Sequence, residues 1–140
     1  MNPEIIFAAA NATALLSWIW LAIAPRWIWT RRIVQTAIPL LLSAAYLALI
    51  VAFFGQADGG FGSLAEVMKL FANPNAALAG WIHYLSFDLF VGAWETRDAQ
   101  KRGVSHLLVL PCLALTFLFG PVGFLLYFIV RTLAAKKEAQ

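Results

Sequence analysis

Residues 76–94, AALAGWIHYLSFDLFVGAW, are apolar apart from His83 and Asp88. A helix needs about 20 apolar residues to cross the roughly 30 Å hydrocarbon core of a bilayer. Residues 5–24, 33–54 and 107–130 are also long enough, and they carry no charge. Because backbone groups in lipid must be paired internally, and the alternation of a barrel strand is absent, the sequence predicts an all-α integral membrane four-helix bundle. The predicted spans of this single domain, residues 1–140, are about 5–24, 33–54, 76–96 and 106–131.

The composition excludes the other broad classes of protein. Of the 140 residues, 62% are hydrophobic and 12% are charged, and the mean hydropathy is +0.79. A small soluble domain buries only about two-thirds of the surface that its unfolded chain exposes, so it cannot hide this much apolar surface. The same hydrophobicity excludes disorder. Cys112 is the single cysteine, which excludes a disulfide scaffold.

Basic residues predict the orientation of the chain and exclude nucleic acid as a partner. They cluster in the first and third connections: Arg26, Arg31, Arg32, Arg97, Lys101 and Arg102. Connections rich in Lys and Arg face the cytoplasm. The net charge of +3 therefore reflects the orientation of the chain in the membrane and not a surface that binds nucleic acid. The predicted partner is membrane lipid. The chain begins MNPE without a basic leader, which favours a multi-pass protein of the bacterial inner (cytoplasmic) membrane, although a mature organelle protein would look similar.

Two features break the pattern of simple spans. Gly120-Pro121 interrupts the fourth span, and we favour one kinked helix there because proline commonly kinks membrane helices. The alternative is a re-entrant turn, which would return the basic tail with Lys136 and Lys137 to the cytoplasm.

The second feature lies in the second connection. Ser63 and Glu66 have the spacing of a capping box, and apolar residues follow with helical periodicity. A short amphipathic helix on the membrane surface is predicted, ending at Asn73-Pro74.

The third span carries the residues that could do chemistry. Asp88 is an ionisable residue inside a membrane span, and such residues are costly and usually functional. A turn of 100° per residue aligns it with Glu95, Asp98 and Arg102, with His83 on the adjoining stripe. Carboxyl and imidazole groups are the usual acids and bases of proton transfer. The candidate catalytic residues are His83, Asp88, Glu95 and Asp98. In the alternative interpretation Asp88 only ties helices together, and the charges after Trp94 form a solvated helix end.

Metal and nucleophile chemistry are disfavoured. The residues that could bind iron or zinc are His83, Asp88, Glu95, Asp98 and His106. No H-x-x-x-H or E-x-x-H pair is present, and the five-residue separation of His83 and Asp88 turns these two side chains about 140° apart. No metal is therefore predicted unless other helices contribute. The sequence also lacks G-x-S-x-G, C-x-x-C and a phosphate-binding glycine loop, which disfavours serine hydrolysis and nucleotide chemistry.

Two motifs carry a family resemblance. Residues 83–94, HYLSFDLFVGAW, are followed by Asp98 and then by residues 111–123, PCLALTFLFGPVG. Together they resemble the neoxanthin synthase (abscisic acid-deficient-four-like) family. The resemblance implies a small four-span membrane protein, and the plant member is tied to the conversion of violaxanthin, a carotenoid epoxide, to the allenic neoxanthin.

The function implied by this resemblance is acid–base isomerisation of a carotenoid epoxide, which needs no redox cofactor. A carotenoid or other isoprenoid would lie in a groove lined by aromatic residues of the third helix: Trp81, Tyr84, Phe87, Phe90 and Trp94. The main alternative is a non-enzymatic carotenoid-binding or assembly subunit. A small proton-coupled transporter is a weaker alternative, because four short helices leave little room for alternating access unless the protein is a homo-oligomer.

Overall fold

The computed structural model describes residues 2–138, apart from the side chains of Phe54 and residues 135–138. All regular structure in this part of the chain is helical, so the all-α class is confirmed. The six α-helices are α1 (Pro3–Ile23), α2 (Ile38–Phe53), α3 (Leu64–Ala72), α4 (Pro74–Lys101), α5 (His106–Phe119) and α6 (Pro121–Glu138). A π-helical segment, Thr30–Ala37, leads directly into α2.

Three helices are long and apolar enough to cross a membrane: α1, the continuous helix Thr30–Phe53, and α4. The chain signals where they start. Asn2 caps α1 by accepting a hydrogen bond from the Glu4 amide, and Asn73 caps α4 by accepting from the amides of residues 75 and 76. A proline occupies the first position of each helix, where its missing N–H has no intrahelical partner to lose.

The short helix predicted after Ser63 is present as α3. The Ser63 side chain accepts a hydrogen bond from the Glu66 amide at 3.2 Å, and the Glu66 carboxylate accepts one from the Gly62 amide at 3.1 Å. Leu64 and Met68 are exposed, as suits a helix lying against a bilayer surface.

The fourth predicted span is divided into two helices, so the four-helix bundle is not confirmed. Gly120 adopts φ of +46° and ψ of −95°, a conformation that glycine tolerates, and Pro121 then begins α6. The two helices pack on each other, with Gly123 against Thr116 and Cys112 where no side chain would fit. The prediction of one kinked helix is therefore wrong, and residues 106–138 form a helical hairpin. The side chains of Lys136 and Lys137 lie outside the described residues.

The hairpin covers one half of α4. Near the end of α5, the Phe117 carbonyl accepts a hydrogen bond from the Tyr84 hydroxyl at 3.0 Å, so the tip of the hairpin lies level with the middle of α4. In α6, Arg131 donates a hydrogen bond to Asp98 near the end of α4. Helices α1, α2 and α3 also pack on α4. One core cluster lies beside the hairpin and includes Trp18, Leu21, Leu89, Val109 and Tyr127; the other lies among α1, α2 and α4 and includes Ala14, Leu42, Ile82 and Leu85.

Candidate functional site

Three carboxyl groups of α4 face the hairpin, as the helical turn predicts. Asp88 lies beside Gly120 at the tip, Glu95 contacts Thr116 in the middle of α5, and Asp98 contacts α6 at the base. All three belong to one polar stripe inside an otherwise apolar protein. They differ in how many hydrogen-bond donors reach them.

Glu95 is completely enclosed and only partly satisfied. Its side chain has no exposed surface, and its Oε1 accepts a hydrogen bond from the Thr116 hydroxyl at 2.9 Å. Its Oε2 is buried without a hydrogen-bond partner among the described residues. A buried polar atom without a partner costs about 1–3 kcal/mol, so the second oxygen of Glu95 lowers the stability of the fold.

Asp88 lies at the tip of the hairpin and is also incompletely satisfied. A methyl group on Gly120 would lie 2.9 Å from Oδ1, so the glycine leaves just enough room for the carboxyl. Oδ2 is buried and has no hydrogen-bond partner in the described part of the chain. Tyr84, one turn before, interacts with Asp88, while its hydroxyl donates to the Phe117 carbonyl at 3.0 Å. A carboxyl and a phenol are thus neighbours at this point.

Asp98, by contrast, is saturated with donors. Its Oδ2 accepts from the Tyr127 hydroxyl at 2.7 Å and from Arg131 Nη1 at 3.1 Å. Arg102 Nε lies 3.0 and 2.9 Å from its two oxygens. The Arg131 guanidinium also lies 4.4 Å from the centre of the Phe128 ring. This network joins the base of the hairpin to the end of α4.

His83 lies on a different side of α4 from Asp88. Its ring stacks on Phe87 at 4.6 Å and meets Tyr46 edge-on at 5.4 Å. It lines a cavity of about 290 Å³ formed by α2, α3 and α4. The structure therefore does not bring together the imidazole and the carboxyl that the sequence paired.

The five aromatic residues predicted to bind substrate are divided among three places. Trp81 and Tyr84 line a groove of about 370 Å³ formed by α1, α4 and the end of α5. Phe87 and Phe90 line a second groove, of about 460 Å³, between α2 and α4. Trp94 packs on α6, with its ring 5.7 Å from that of Phe128. Of these places, the first groove is the one lined by Tyr84, the neighbour of Asp88.

The groove lined by Tyr84 is mostly apolar. Ala12 and Leu15 come from α1, and Phe117 and Leu118 come from the end of α5. Near its far end, Trp81 Nε1 donates to Asn11 Oδ1 at 2.8 Å, which fixes the orientation of the indole. Such a groove, with a few polar groups at one point, suits a long apolar ligand whose reacting group must be oriented.

The sequence did not identify Thr116, Gly120 and Tyr127 as part of the site. The only local signal was the Gly-Pro-Val-Gly interruption at residues 120–123, which marks a turn but not which residues the returning helix meets. Among the residues that the structure describes, no three His, Cys, Asp or Glu side chains lie close enough to hold a metal ion. His106 contacts the Ala22 carbonyl through Nε2 at 2.8 Å.

Comparisons with known proteins identify the family. The model of the ABA DEFICIENT 4-like family matches residues 5–127, which is most of the chain. The chain therefore belongs to this family, as the motifs in the third and fourth predicted spans indicated. The comparisons with curated proteins and with solved structures give no match.

Proposed function

We propose that this member of the ABA DEFICIENT 4-like family isomerises a carotenoid epoxide within the membrane, with Asp88 and Tyr84 as the proton-transferring pair. The observation that carries the proposal is the position of this pair. Asp88, a carboxyl whose buried oxygen has no hydrogen-bond partner among the described residues, lies next to Tyr84, a phenol that lines an apolar groove. Both residues belong to a helix apolar enough to cross a membrane. The family resemblance supports a carotenoid as the substrate class.

The reaction balances without a cofactor. The Tyr84 hydroxyl donates its proton to the epoxide oxygen as the carbon–oxygen bond breaks, and the Asp88 carboxylate removes a vinylic proton. The electrons of the broken C–H bond form the second double bond of the allene. Asp88 then passes a proton back to its neighbour Tyr84, so no atom is gained or lost. Paired acid and base groups of this kind typically contribute a factor of about 10²–10⁴ to the rate.

Glu95 has a supporting position in this proposal. It lies two turns beyond Asp88 on the same face, about 10 Å along the helix axis, and it is enclosed by the hairpin. It therefore does not reach the groove. We assign it to positioning, because its contact with Thr116 places α5, and with it the tip of the hairpin, against α4.

The location of the groove suits a substrate that arrives through lipid. The hairpin reaches α4 from Tyr84 onward, and the groove lined by Trp81 and Tyr84 lies beside the tip of the hairpin. A long polyene would lie along Leu15 and Leu118 with its epoxide ring at Tyr84. Because the base of the hairpin and both arginine-rich connections share one end of the protein, we place that end in the cytoplasm of a bacterium, and the protein in its inner membrane.

The test is pigment analysis in a bacterial host that makes several carotenoid epoxides. The host expresses the natural chain, D88N, or the control variant D58N, which makes the same change in an exposed loop. We expect a new isomer with the natural chain and with D58N, and its loss with D88N. An isomer that persists at full yield with D88N would overturn the assignment of Asp88.

A carotenoid-binding or assembly subunit is the second candidate. The observation that favours it is that the Tyr84–Phe117 and Glu95–Thr116 hydrogen bonds both tie α4 to the hairpin, as purely structural contacts would. The same experiment separates the two functions. A binding subunit would retain carotenoid in an approximately stoichiometric amount, with an unchanged chemical structure, in both the natural chain and D88N.

A further inference from the structure

The groove between α2 and α4 has a polarity that a carotenoid does not match. Its volume is about 460 Å³, within the usual range of small-molecule sites. Leu40, Phe87 and Phe90 form apolar walls along most of its length. Arg31 and Arg97 lie together at one end of the groove. The groove is therefore apolar along its length and cationic at one end.

Neither arginine has an anionic partner among the side chains that the structure describes. The salt bridges of the described residues join Asp98 to Arg102 and to Arg131, and none reaches Arg31 or Arg97. Arg97 Nη1 instead donates to Gln35 Oε1 at 3.2 Å. A guanidinium group near a membrane, facing a second one without a carboxylate, attracts an anion.

The glutamine that holds Arg97 is part of a buried polar connection. Gln35 is 5% exposed, and its Nε2 donates to the Thr96 hydroxyl at 3.3 Å. Thr96 is 1% exposed and donates in turn to the Ala93 carbonyl. This connection fixes the Gln35 amide so that its oxygen points at Arg97. The cationic end is thus held in place by the body of the protein.

We infer that this groove binds an anionic phospholipid, with the phosphate between Arg31 and Arg97 and one acyl chain along Leu40, Phe87 and Phe90. Arginine matches phosphate geometry with two parallel N–H donors. The apolar walls continue from that point into the part of the molecule that would lie in lipid. The site is separate from the Tyr84–Asp88 groove and does not depend on the proposed carotenoid reaction.

The experiment is a lipid titration of the full chain purified in detergent, read by native mass spectrometry. The probes are dioleoyl phosphatidylglycerol and, as the zwitterionic comparison, dioleoyl phosphatidylcholine. The double variant R31Q/R97Q is compared with R26Q/R32Q. This control also removes two positive charges, both from the connection that carries Arg31, but neither residue lines the groove. We expect one phosphatidylglycerol per protein, with affinity lowered roughly thirtyfold in R31Q/R97Q and nearly unchanged in R26Q/R32Q, whose arginines do not line the groove.

Two further measurements test the acyl-chain contact and distinguish a lipid from a free phosphate. L40W fills the apolar wall without changing charge, and we expect it to weaken phosphatidylglycerol binding while competition by sn-glycerol 3-phosphate is unchanged. If glycerol phosphate or inorganic phosphate binds as well as the lipid, the site takes a free phosphate and the inference is wrong. Equal losses of affinity in the two double variants would also overturn the inference, because the attraction would then come from the general positive charge of the surface. Equal binding of phosphatidylcholine would overturn it too, because binding would then not depend on the charge of the lipid.

Discussion

Asp98 and Glu95 lie one turn apart on the same face of α4 and beneath the same hairpin, yet their surroundings are opposite. Asp98 receives hydrogen bonds from Arg102, Tyr127 and Arg131. Glu95 receives one, from Thr116, and its second oxygen has no partner in the described part of the chain. Asp88, at the tip of the hairpin, also retains a buried oxygen without a partner.

The difference separates Asp98, a structural carboxylate, from carboxyls with a buried oxygen that no described donor reaches. Of these, Asp88 is the one next to a phenol that lines a groove. An aspartate whose oxygens are saturated by two arginines and a tyrosine is fixed, and its charge is compensated. A carboxyl that lacks donors in a buried site lowers stability, and it can exchange a proton or a hydrogen bond with a ligand. The base of the hairpin therefore holds the structure together, while its tip forms the proposed reaction site.

The largest effect is expected at Tyr84. Y84F removes the proton donor beside Asp88, and we expect conversion of the carotenoid epoxide to fall by a factor of about 100. Y46F is the matched control, because Tyr46 faces the separate His83 cavity and should leave conversion unchanged. The yield of isomer per mole of protein in the carotenoid-producing host is the measurement. Equal yields from Y84F and the natural chain would remove Tyr84 from the reaction.

The next effect is expected at Asp98. D98N leaves Arg131 without its anion, and we expect a loss of about 2 kcal/mol in the free energy of unfolding. Denaturant titration of the protein in detergent micelles measures this loss, with D58N, an exposed loop change, as the control. A loss no larger than that of D58N would mean that the network at the base of the hairpin does not hold α6.

A smaller effect is expected at the turn itself. G120A introduces a side chain where φ is +46° and where its methyl group would press on the Asp88 carboxyl. We expect a loss of about 1.5 kcal/mol in unfolding free energy, together with reduced conversion. G55A adds the same methyl group in open space and serves as the control. If the two variants are equally stable, the turn at Gly120 does not have the conformation described above.

The smallest effect is expected at Thr116. T116V removes the one donor to Glu95 while keeping the shape of the side chain, and we expect a loss of about 1 kcal/mol in unfolding free energy. The control is T132V, whose hydroxyl bonds only within its own exposed helix. Circular dichroism melting curves of the two variants would contradict the account if T132V were the less stable.

The sequence predicted the features that depend on local pattern. Apolar stretches identified the helices, the Ser63–Glu66 spacing identified α3, and the turn of 100° per residue placed Asp88, Glu95 and Asp98 on one face. The hairpin was missed, because a proline after a glycine is compatible with either a kink or a reversal. The choice depends on whether a neighbouring helix accommodates the returning chain, and here Gly123 packs closely on Thr116.

The same long-range contacts explain which parts of the site could not be predicted. Residue spacing alone placed His83 about 140° from Asp88, but it could not say which helices would occupy the space between them. The structure puts α2 against His83 and the hairpin against Asp88. Tyr127 and Arg131 as partners of Asp98 could not be found either, because a continuous fourth helix would carry them away from it.

Measuring two properties of two variants tests whether the tip of the hairpin is reactive and its base is structural. Conversion of the carotenoid epoxide and the free energy of unfolding are determined for D88N and D98N from the same preparations. The account predicts that D88N loses conversion and keeps the stability of the natural chain, whereas D98N is destabilised but still converts substrate at a temperature where it remains folded. If conversion survives in D88N, or if it falls in both variants only in proportion to lost stability, the account is contradicted.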